Sequence, residues 1–236
     1  TTADILAGNT KIGRRRDRQA GTLWPGAGRA GRAAGTRRSR ALIGAGAAEG
    51  AQRTFVSTMG SDASGSCSLA APCRGFAKAL TATDPNGEIV VLDSGGYGGL
   101  TINKSVTITS PAGVYAGVSV FAGQDGIVVG AGAGKVVLRG LTINGQGGNN
   151  GIRVQAGEVH IENVVVSSMA AAGIRVDDGT SVRLSGVAIR LNLHGLSVAP
   201  QSSSLAVIVR DSEISGNTGE GVILGTAVSG VSTQVT

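Results

Sequence analysis

Apolar and polar residues alternate along the second half of the chain, and glycine interrupts the alternation at regular intervals. The four residues GIRV begin at Gly151 and again at Gly173, twenty-two residues later. Related segments of the form glycine, apolar, variable, apolar begin at Gly126, Gly195 and Gly221. Period-two alternation predicts short β-strands. The recurring spacing of 22 to 26 residues predicts a repeat architecture.

A second repeated column lies inside each unit, between two strands. Its members are Gly140, Asn163, Gly186 and Asp211, at spacings of 23, 23 and 25 residues. All of these residue types tolerate the left-handed backbone region, so the pattern predicts a tight αL bend at each position. Units that bend and return above themselves pair as parallel strands about 4.8 Å apart, which predicts a parallel β-helix. A β-sandwich would instead need hairpin turns, and the NG and DG pairs do not recur in register.

The residues before the repeats follow a different sequence pattern, which predicts an N-terminal cap. A short strand starts at Thr54, a polar loop follows, and residues 74–83 carry one apolar helical face. We therefore predict an N-terminal cap over 54–98 with a helix at about 74–83, and β-helix coils over 99–236. The last unit has no polar capping segment, so we expect a longer natural chain, or self-association through open strand edges.

Charge is distributed unevenly along the chain. Residues 1–53 carry eleven of the 21 Lys and Arg and three of the 15 acids, so residues 54–236 are slightly acidic. The basic segment lacks an apolar pattern, which predicts a disordered leader. It could be a remnant of a secretory signal, an arm for nucleic acid or anionic surfaces, or a segment without a role. The single aromatic residue Trp24 argues against nucleic acid.

Two cysteines, Cys67 and Cys73, lie six residues apart in a Gly- and Ser-rich loop. An even count at short spacing favours a local disulfide, and two free thiols are the alternative. Two sulfur atoms without a neighbouring histidine do not make a metal site. No apolar run approaches the roughly 20 residues of a membrane span. We expect no metal, no other cofactor and no membrane span.

Five segments follow one another before and into the first coil: TFVST, GSDASGSCSLAAPC, RGFAKALTAT, GEIVVLDSGGYGG and TINKSVTI. Their order resembles the pectin-lyase-like superfamily, and in particular bacterial secreted proteins described only as right-handed β-helix repeat proteins. The resemblance covers about residues 52–236. It implies an all-β, right-handed parallel β-helix with a short N-terminal capping helix, and a secreted or cell-surface location. Lyases, hydrolases and adhesins share this fold, so the fold alone does not give the function.

The repeated arginine of GIRV predicts a candidate ligand surface. Arg153 and Arg175 should point outward on adjacent coils, with Gln155 and Asp177 following them on the same face. Two adjacent guanidinium groups repel each other unless an anion lies between them, and Asp177 can partly serve. Because arginine binds carboxylates through two parallel hydrogen bonds, the surface could bind an acidic sugar chain. The alternative is a solvated face that only maintains solubility.

Catalysis is a weaker interpretation. Polygalacturonase-like members of the superfamily use an N-x-D, a D-D pair, G-H-G and R-I-K, whereas this chain has only Asp177-Asp178 and His194-Gly195. Leu193 replaces the first glycine of G-H-G, and no R-x-K follows. Calcium would be expected only if the protein were a lyase. We therefore expect a non-catalytic glycan-binding or scaffold module, with a lyase or hydrolase of acidic polysaccharides as the alternative.

Overall fold

The computed structural model describes residues 51–63, 65–200, 205–225 and 233–235. Within these ranges the chain forms three parallel β-sheets and one short helix, α1 (Phe76–Ala82). The predicted leader up to residue 50, the segment proposed as a nucleic-acid arm and the end of the last coil lie outside the described residues.

The strands are short, as the period-two pattern predicts. In chain order they are β1 (Ala51–Val56), β2 (Thr83–Val91), β3 (Gly95–Gly96), β4 (Leu100–Ile102), β5 (Val106–Thr109), β6 (Ala116–Phe121), β7 (Ile127–Val129), β8 (Lys135–Arg139), β9 (Leu141–Gln146), β10 (Ile152–Val154), β11 (Glu158–Glu162), β12 (Val165–Ser167), β13 (Ala172–Val176), β14 (Ser181–Ser185), β15 (Ala188–Arg190), β16 (His194–Val198), β17 (Leu205–Arg210), β18 (Glu213–Ser215), β19 (Val222–Leu224) and β20 (Thr233–Val235).

Each sheet takes one strand from each coil, so that consecutive coils stack. Sheet 1 has the order β4-β7-β10-β13-β16-β19, and sheet 3 has the order β3-β6-β9-β12-β15-β18. Sheet 2 has the order β1-β2-β5-β8-β11-β14-β17-β20. All pairings between these strands are parallel. The described chain is therefore an all-β parallel solenoid, which agrees with the predicted fold class.

The core is a column of aliphatic side chains that point inward from all three sheets. In sheet 1, Ile127, Ile152, Ile174 and Leu196 are fully buried and lie in register on successive coils. Burying one such side chain stabilises the fold by about 1.5–3 kcal/mol. Aromatic residues make up only 3% of the chain, so most of the core comes from Val, Ile, Leu and Ala.

The glycine that opens each repeat allows neighbouring coils to approach closely. A Cβ on Gly126 would lie 2.5 Å from the carbonyl oxygen of Gly151, and one on Gly151 would lie 2.7 Å from that of Gly173. A Cβ on Gly195 would lie 2.3 Å from the carbonyl oxygen of Gly221. Any side chain at these positions would strike the backbone of the next coil. This contact explains the glycines of the first column at Gly126, Gly151 and Gly195.

The second column forms the corner between sheets 2 and 3. Its φ angles are +73° at Gly140, +53° at Asn163, +64° at Gly186 and +50° at Asp211, so the backbone is left-handed at all four positions. A further left-handed corner, between sheets 3 and 1, includes Leu191 with φ of +58°. The sequence pattern does not predict that corner, because leucine rarely adopts this conformation.

Buried asparagines bridge coils between sheets 3 and 1. The side chain of Asn192 is almost fully buried, and its Oδ1 accepts a hydrogen bond of 3.0 Å from the backbone N–H of Met169. The backbone N–H and Nδ2 of Asn192 both donate to Oδ1 of Asn217, at 3.0 and 3.1 Å. Because these bonds satisfy buried polar groups, they fix the path of the corner.

The N-terminal cap differs from the sequence prediction at three points. Strand β1 begins at Ala51, so residues 51–53 belong to the sheet and not to the leader. The segment DPNGE at residues 84–88 has a composition typical of a turn, but it lies inside β2, where the register with β1 shifts and Asn86 has φ of +64°. Helix α1 is shorter than predicted because Gly75 is extended before it and Thr83 begins β2 after it.

A disulfide and a group of hydrogen bonds to Asp93 hold the cap together. Cys67 and Cys73 form a disulfide, as predicted. Asp93 accepts hydrogen bonds from the hydroxyl of Ser57 at 2.7 Å, the backbone N–H of Thr58 at 2.8 Å and the hydroxyl of Tyr97. Burial alone would raise the pKa of Asp93, but these hydrogen bonds together outweigh it and lower the pKa to about 2.

Candidate functional site

The outer face of sheet 1 carries the repeated arginine. Arg153 lies in register with Val128 on the coil before it and with Arg175 on the coil after it. Arg175 in turn lies opposite Ser197, which lies opposite Ile223. The flanking inward residues of both GIRV segments are fully buried, so the arginines point away from the core.

Asp177 joins the two arginines. Its Oδ2 lies 2.7 Å from Nε of Arg153, and its Oδ1 lies 2.6 Å from Nε of Arg175. The side chain of Asp177 is only 14% exposed, whereas those of Arg153 and Arg175 are 35% and 45% exposed. The hydrogen bond with Asp177 is the main cause that raises the pKa of Arg153 above its usual value. One carboxylate therefore removes the repulsion between the two coils.

A second carboxylate, Asp125, completes the arrangement from the preceding coil. Its Oδ2 lies 3.5 Å from Nη1 of Arg153, and its Oδ1 accepts from the backbone N–H and Nδ2 of Asn150, at 3.1 and 2.7 Å. Sequence reasoning missed Asp125, although Asp125 and Asn150 both directly precede the glycine of a repeat. The recurrence of a polar residue before the repeated glycine was the sequence signal that could have identified Asp125.

Gln155 lies beside these groups but is not joined to them. Its backbone N–H donates to the carbonyl of Val129, as that of Asp177 does to Val154 one coil later. The side chain is exposed and makes no hydrogen bond to another described residue. We call Asp125, Arg153, Gln155, Arg175 and Asp177 the sheet 1 strip. It contains two positive and two negative charges, so it is neutral overall.

The comparison with known protein families decides the identity of the fold. Residues 79–234 match the family described as right handed beta helix region. The chain belongs to this right-handed β-helix family. The parallel solenoid and the family match agree with the resemblance to the pectin-lyase-like superfamily. No curated protein and no solved structure matches the chain.

The Asp177-Asp178 pair and the two histidines make local contacts in this β-helix. Asp178 accepts a hydrogen bond of 2.9 Å from the backbone N–H of Gly179, while its neighbour Asp177 contacts the two arginines. His160 Nε2 lies 2.8 Å from Oε1 of Glu158 on the outer face of sheet 2. The side chains of Asp177 and Asp178 therefore make different contacts, one within the strip and one at a turn.

His194 lies at the start of β16, and its Nδ1 is 2.8 Å from Oε2 of Glu220 without the alignment of a hydrogen bond. No described helix is long and apolar enough to cross a membrane. Within the described ranges, no three His, Cys, Asp or Glu side chains are grouped so that they could hold a metal ion.

Proposed function

We propose that this β-helix is a non-catalytic glycan-binding module of a secreted or cell-surface protein, and that the sheet 1 strip contacts the glycan. The observation that carries the proposal is the bridge from Asp177 to Arg153 and Arg175. Each arginine uses Nε for this bridge, and Arg175 leaves its two Nη groups without a partner among the described residues. These outer N–H groups can donate to a ligand.

The bridge also makes the donors rigid before any ligand arrives. Charge-assisted hydrogen bonds of 2.6 and 2.7 Å hold the two planar guanidinium groups in place. A rigid surface loses less conformational entropy on binding than free arginines would. Adjacent coils lie about 4.8 Å apart, so the strip presents two planar donor groups, those of Arg153 and Arg175, one strand spacing apart. A sugar chain with two hydroxyl or carboxylate groups at a similar separation suits such a surface.

The neutral charge of the strip affects which kind of ligand we expect. Asp125 and Asp177 compete with any acidic group for the two arginines, so attraction of a polyanion contributes little. We therefore expect recognition through sugar hydroxyl groups, with a weak dependence of affinity on salt. The disulfide between Cys67 and Cys73 supports a location in an oxidising compartment.

The test is binding of the full chain to a panel of neutral and acidic polysaccharides, measured by isothermal titration calorimetry. Arg175→Ala removes one charge-assisted donor, which is worth about 1.5–3 kcal/mol, so affinity should fall at least about tenfold. Arg190→Ala is the matched control, because Arg190 is an exposed arginine on sheet 3 whose side chain forms no hydrogen bond or ion pair with a described residue.

Equal loss in both variants, or no binding to any polymer, would contradict the glycan-binding proposal. The same samples should be assayed for new reducing ends and for unsaturated uronate absorbance, with and without calcium. Turnover that disappears in Arg175→Ala would replace the proposal with the lyase or hydrolase alternative.

A further inference from the structure

The outer face of sheet 2 holds a pocket that is separate from the sheet 1 strip. It spans the three adjacent strands β11, β14 and β17 and has a volume of about 180 Å³. Its polar lining consists of His160, Glu162, Arg183, Ser185 and Arg210. Ile208 contributes an apolar wall.

The acidic residues at this pocket already have partners. Glu162 Oε2 lies 2.8 Å from Nε of Arg139. Glu158, beside the pocket, lies 2.8 Å from Nε2 of His160 and 3.7 Å from Nζ of Lys135. The hydrogen bond with His160 is the main cause that lowers the pKa of Glu158, and the charges of Lys135 and Arg183 contribute less. Both carboxylates thus have partners closer than the two remaining arginines, and Arg183 acts on Glu158 only through its charge.

Arg183 and Arg210 are the two cations without a close counterion at this pocket. Both are exposed, and neither side chain forms a hydrogen bond or a close ion pair with any described residue. Arg183 lies opposite Ile208, and Arg210 lies opposite Ser185, so the two arginines are diagonal neighbours on adjacent strands. Diagonal neighbours in a sheet are about 7–8 Å apart at the backbone, within reach of two long side chains that converge on one ligand.

The sheet 1 strip and this pocket differ in what lies near the arginines. In the strip, a carboxylate from the chain lies between the two guanidinium groups; here, a pocket lies beside them and no carboxylate of the described chain contacts either one closely. We propose that this pocket binds a tetrahedral oxyanion, a sulfate or phosphate group, between the guanidinium groups of Arg183 and Arg210. Planar guanidinium forks match the oxygens of such anions, and the hydroxyl of Ser185 supplies a further donor.

The test uses the full chain and inorganic sulfate, titrated against chloride at constant ionic strength. Binding to the folded state should raise the melting temperature in a saturable way. Isothermal titration calorimetry with the same salt should give a single dissociation constant for the pocket. In Arg183→Gln and Arg210→Gln the affinity should fall at least about tenfold, because each loses a charge-assisted donor. Both side chains are exposed and unpaired, so both variants should fold.

Arg190→Gln is the control, since it removes the same charge from sheet 3 and leaves the pocket intact. All variants keep the same basic N-terminal segment, so its contribution cancels between them. A sulfate effect that is equal in Arg183→Gln, Arg210→Gln and Arg190→Gln would overturn the proposal, as would an equal effect of chloride. Inorganic phosphate and a hexose 6-sulfate, run in parallel, distinguish a free ion from an ester group: tighter binding of the ester would identify a substituent of a larger ligand.

Discussion

The glycine at the start of each coil permits a sharp test of how closely the coils pack. A methyl group added at Gly151 would lie 2.3 Å from Cγ1 of Val166 and 2.7 Å from the carbonyl oxygen of Gly173. Val166 is fully buried, and the oxygen belongs to the backbone of the next coil. Neither atom can move away without shifting a neighbouring strand. Gly151→Ala should therefore be destabilising.

The expected magnitude follows from the two contacts. Overpacking a dense core usually costs about 1–3 kcal/mol. Because one of the clashing atoms is backbone, we expect the upper part of this range, about 2–3 kcal/mol. In a folded region of this size, each kcal/mol lowers the melting temperature by about 2–4 °C. The melting temperature of Gly151→Ala should thus fall by about 4–12 °C.

Circular dichroism of the full chain during heating measures this change, with Gly96→Ala as the matched control. An added Cβ at Gly96 meets no atom within 4 Å, and its φ is not positive. Both variants gain the same small advantage from a less flexible unfolded chain, about 0.4–1 kcal/mol, so their difference isolates the clash. If the two variants melted within about 2 °C of each other, the close approach of the coils would be wrong.

Two further substitutions test the corner and the cap. Asn192→Ala leaves the buried N–H of Met169 without its acceptor, so it should cost about 1–3 kcal/mol and lower the melting temperature. The comparison variant is Asn144→Ala on the outer face of sheet 3, which removes only a long side-chain hydrogen bond of 3.3 Å from Ser167 and should lower the melting temperature less. Equal melting of the two variants would contradict the role of Asn192. Asp93→Asn should reduce the free energy of unfolding at neutral pH by about 1–2 kcal/mol, a value reduced for partial exposure to solvent. Because the pKa of Asp93 is lowered from 3.8 to about 2 in the folded state, its contribution is present above pH 3.8 and is lost as the pH falls through 2. Urea unfolding should therefore show a much larger difference between the two proteins at pH 7 than at pH 2, and a constant difference would argue against this carboxylate.

Much of the fold could be predicted because the residues that determine it recur at short, regular spacings in the sequence. The GIRV segments alternate inward and outward residues, and a parallel pairing of equal segments leaves only one register that buries Ile152 and Ile174 together. The left-handed corner at Asn163 was visible because few residue types accept that backbone conformation. Such local preferences are enough to predict the fold when every coil follows the same pattern.

Other features depended on contacts between residues far apart in sequence. The side chain of Asp125 forms a hydrogen bond with Arg153, 28 residues later, and that of Asn192 forms one with Asn217, 25 residues later. The corners that contain these side chains differ in length. Arg183, beside the pocket, has no close counterion in the described chain because Glu158 and Glu162 lie closer to other partners. The repeat marks the position of Asp125, before a repeated glycine, but no periodicity in the sequence reports which partners these side chains contact.

The in-register pairing of the two GIRV segments has a consequence for how such a protein can evolve. Within the sheets each strand pairs only with the strands of the coils directly before and after it. A tandem duplication of the 22 residues from one GIRV to the next would therefore insert a complete coil without altering any other pairing. It would also add another arginine to the outer face. The column of outward arginines can thus grow by one coil at a time, through ordinary copying errors in the gene.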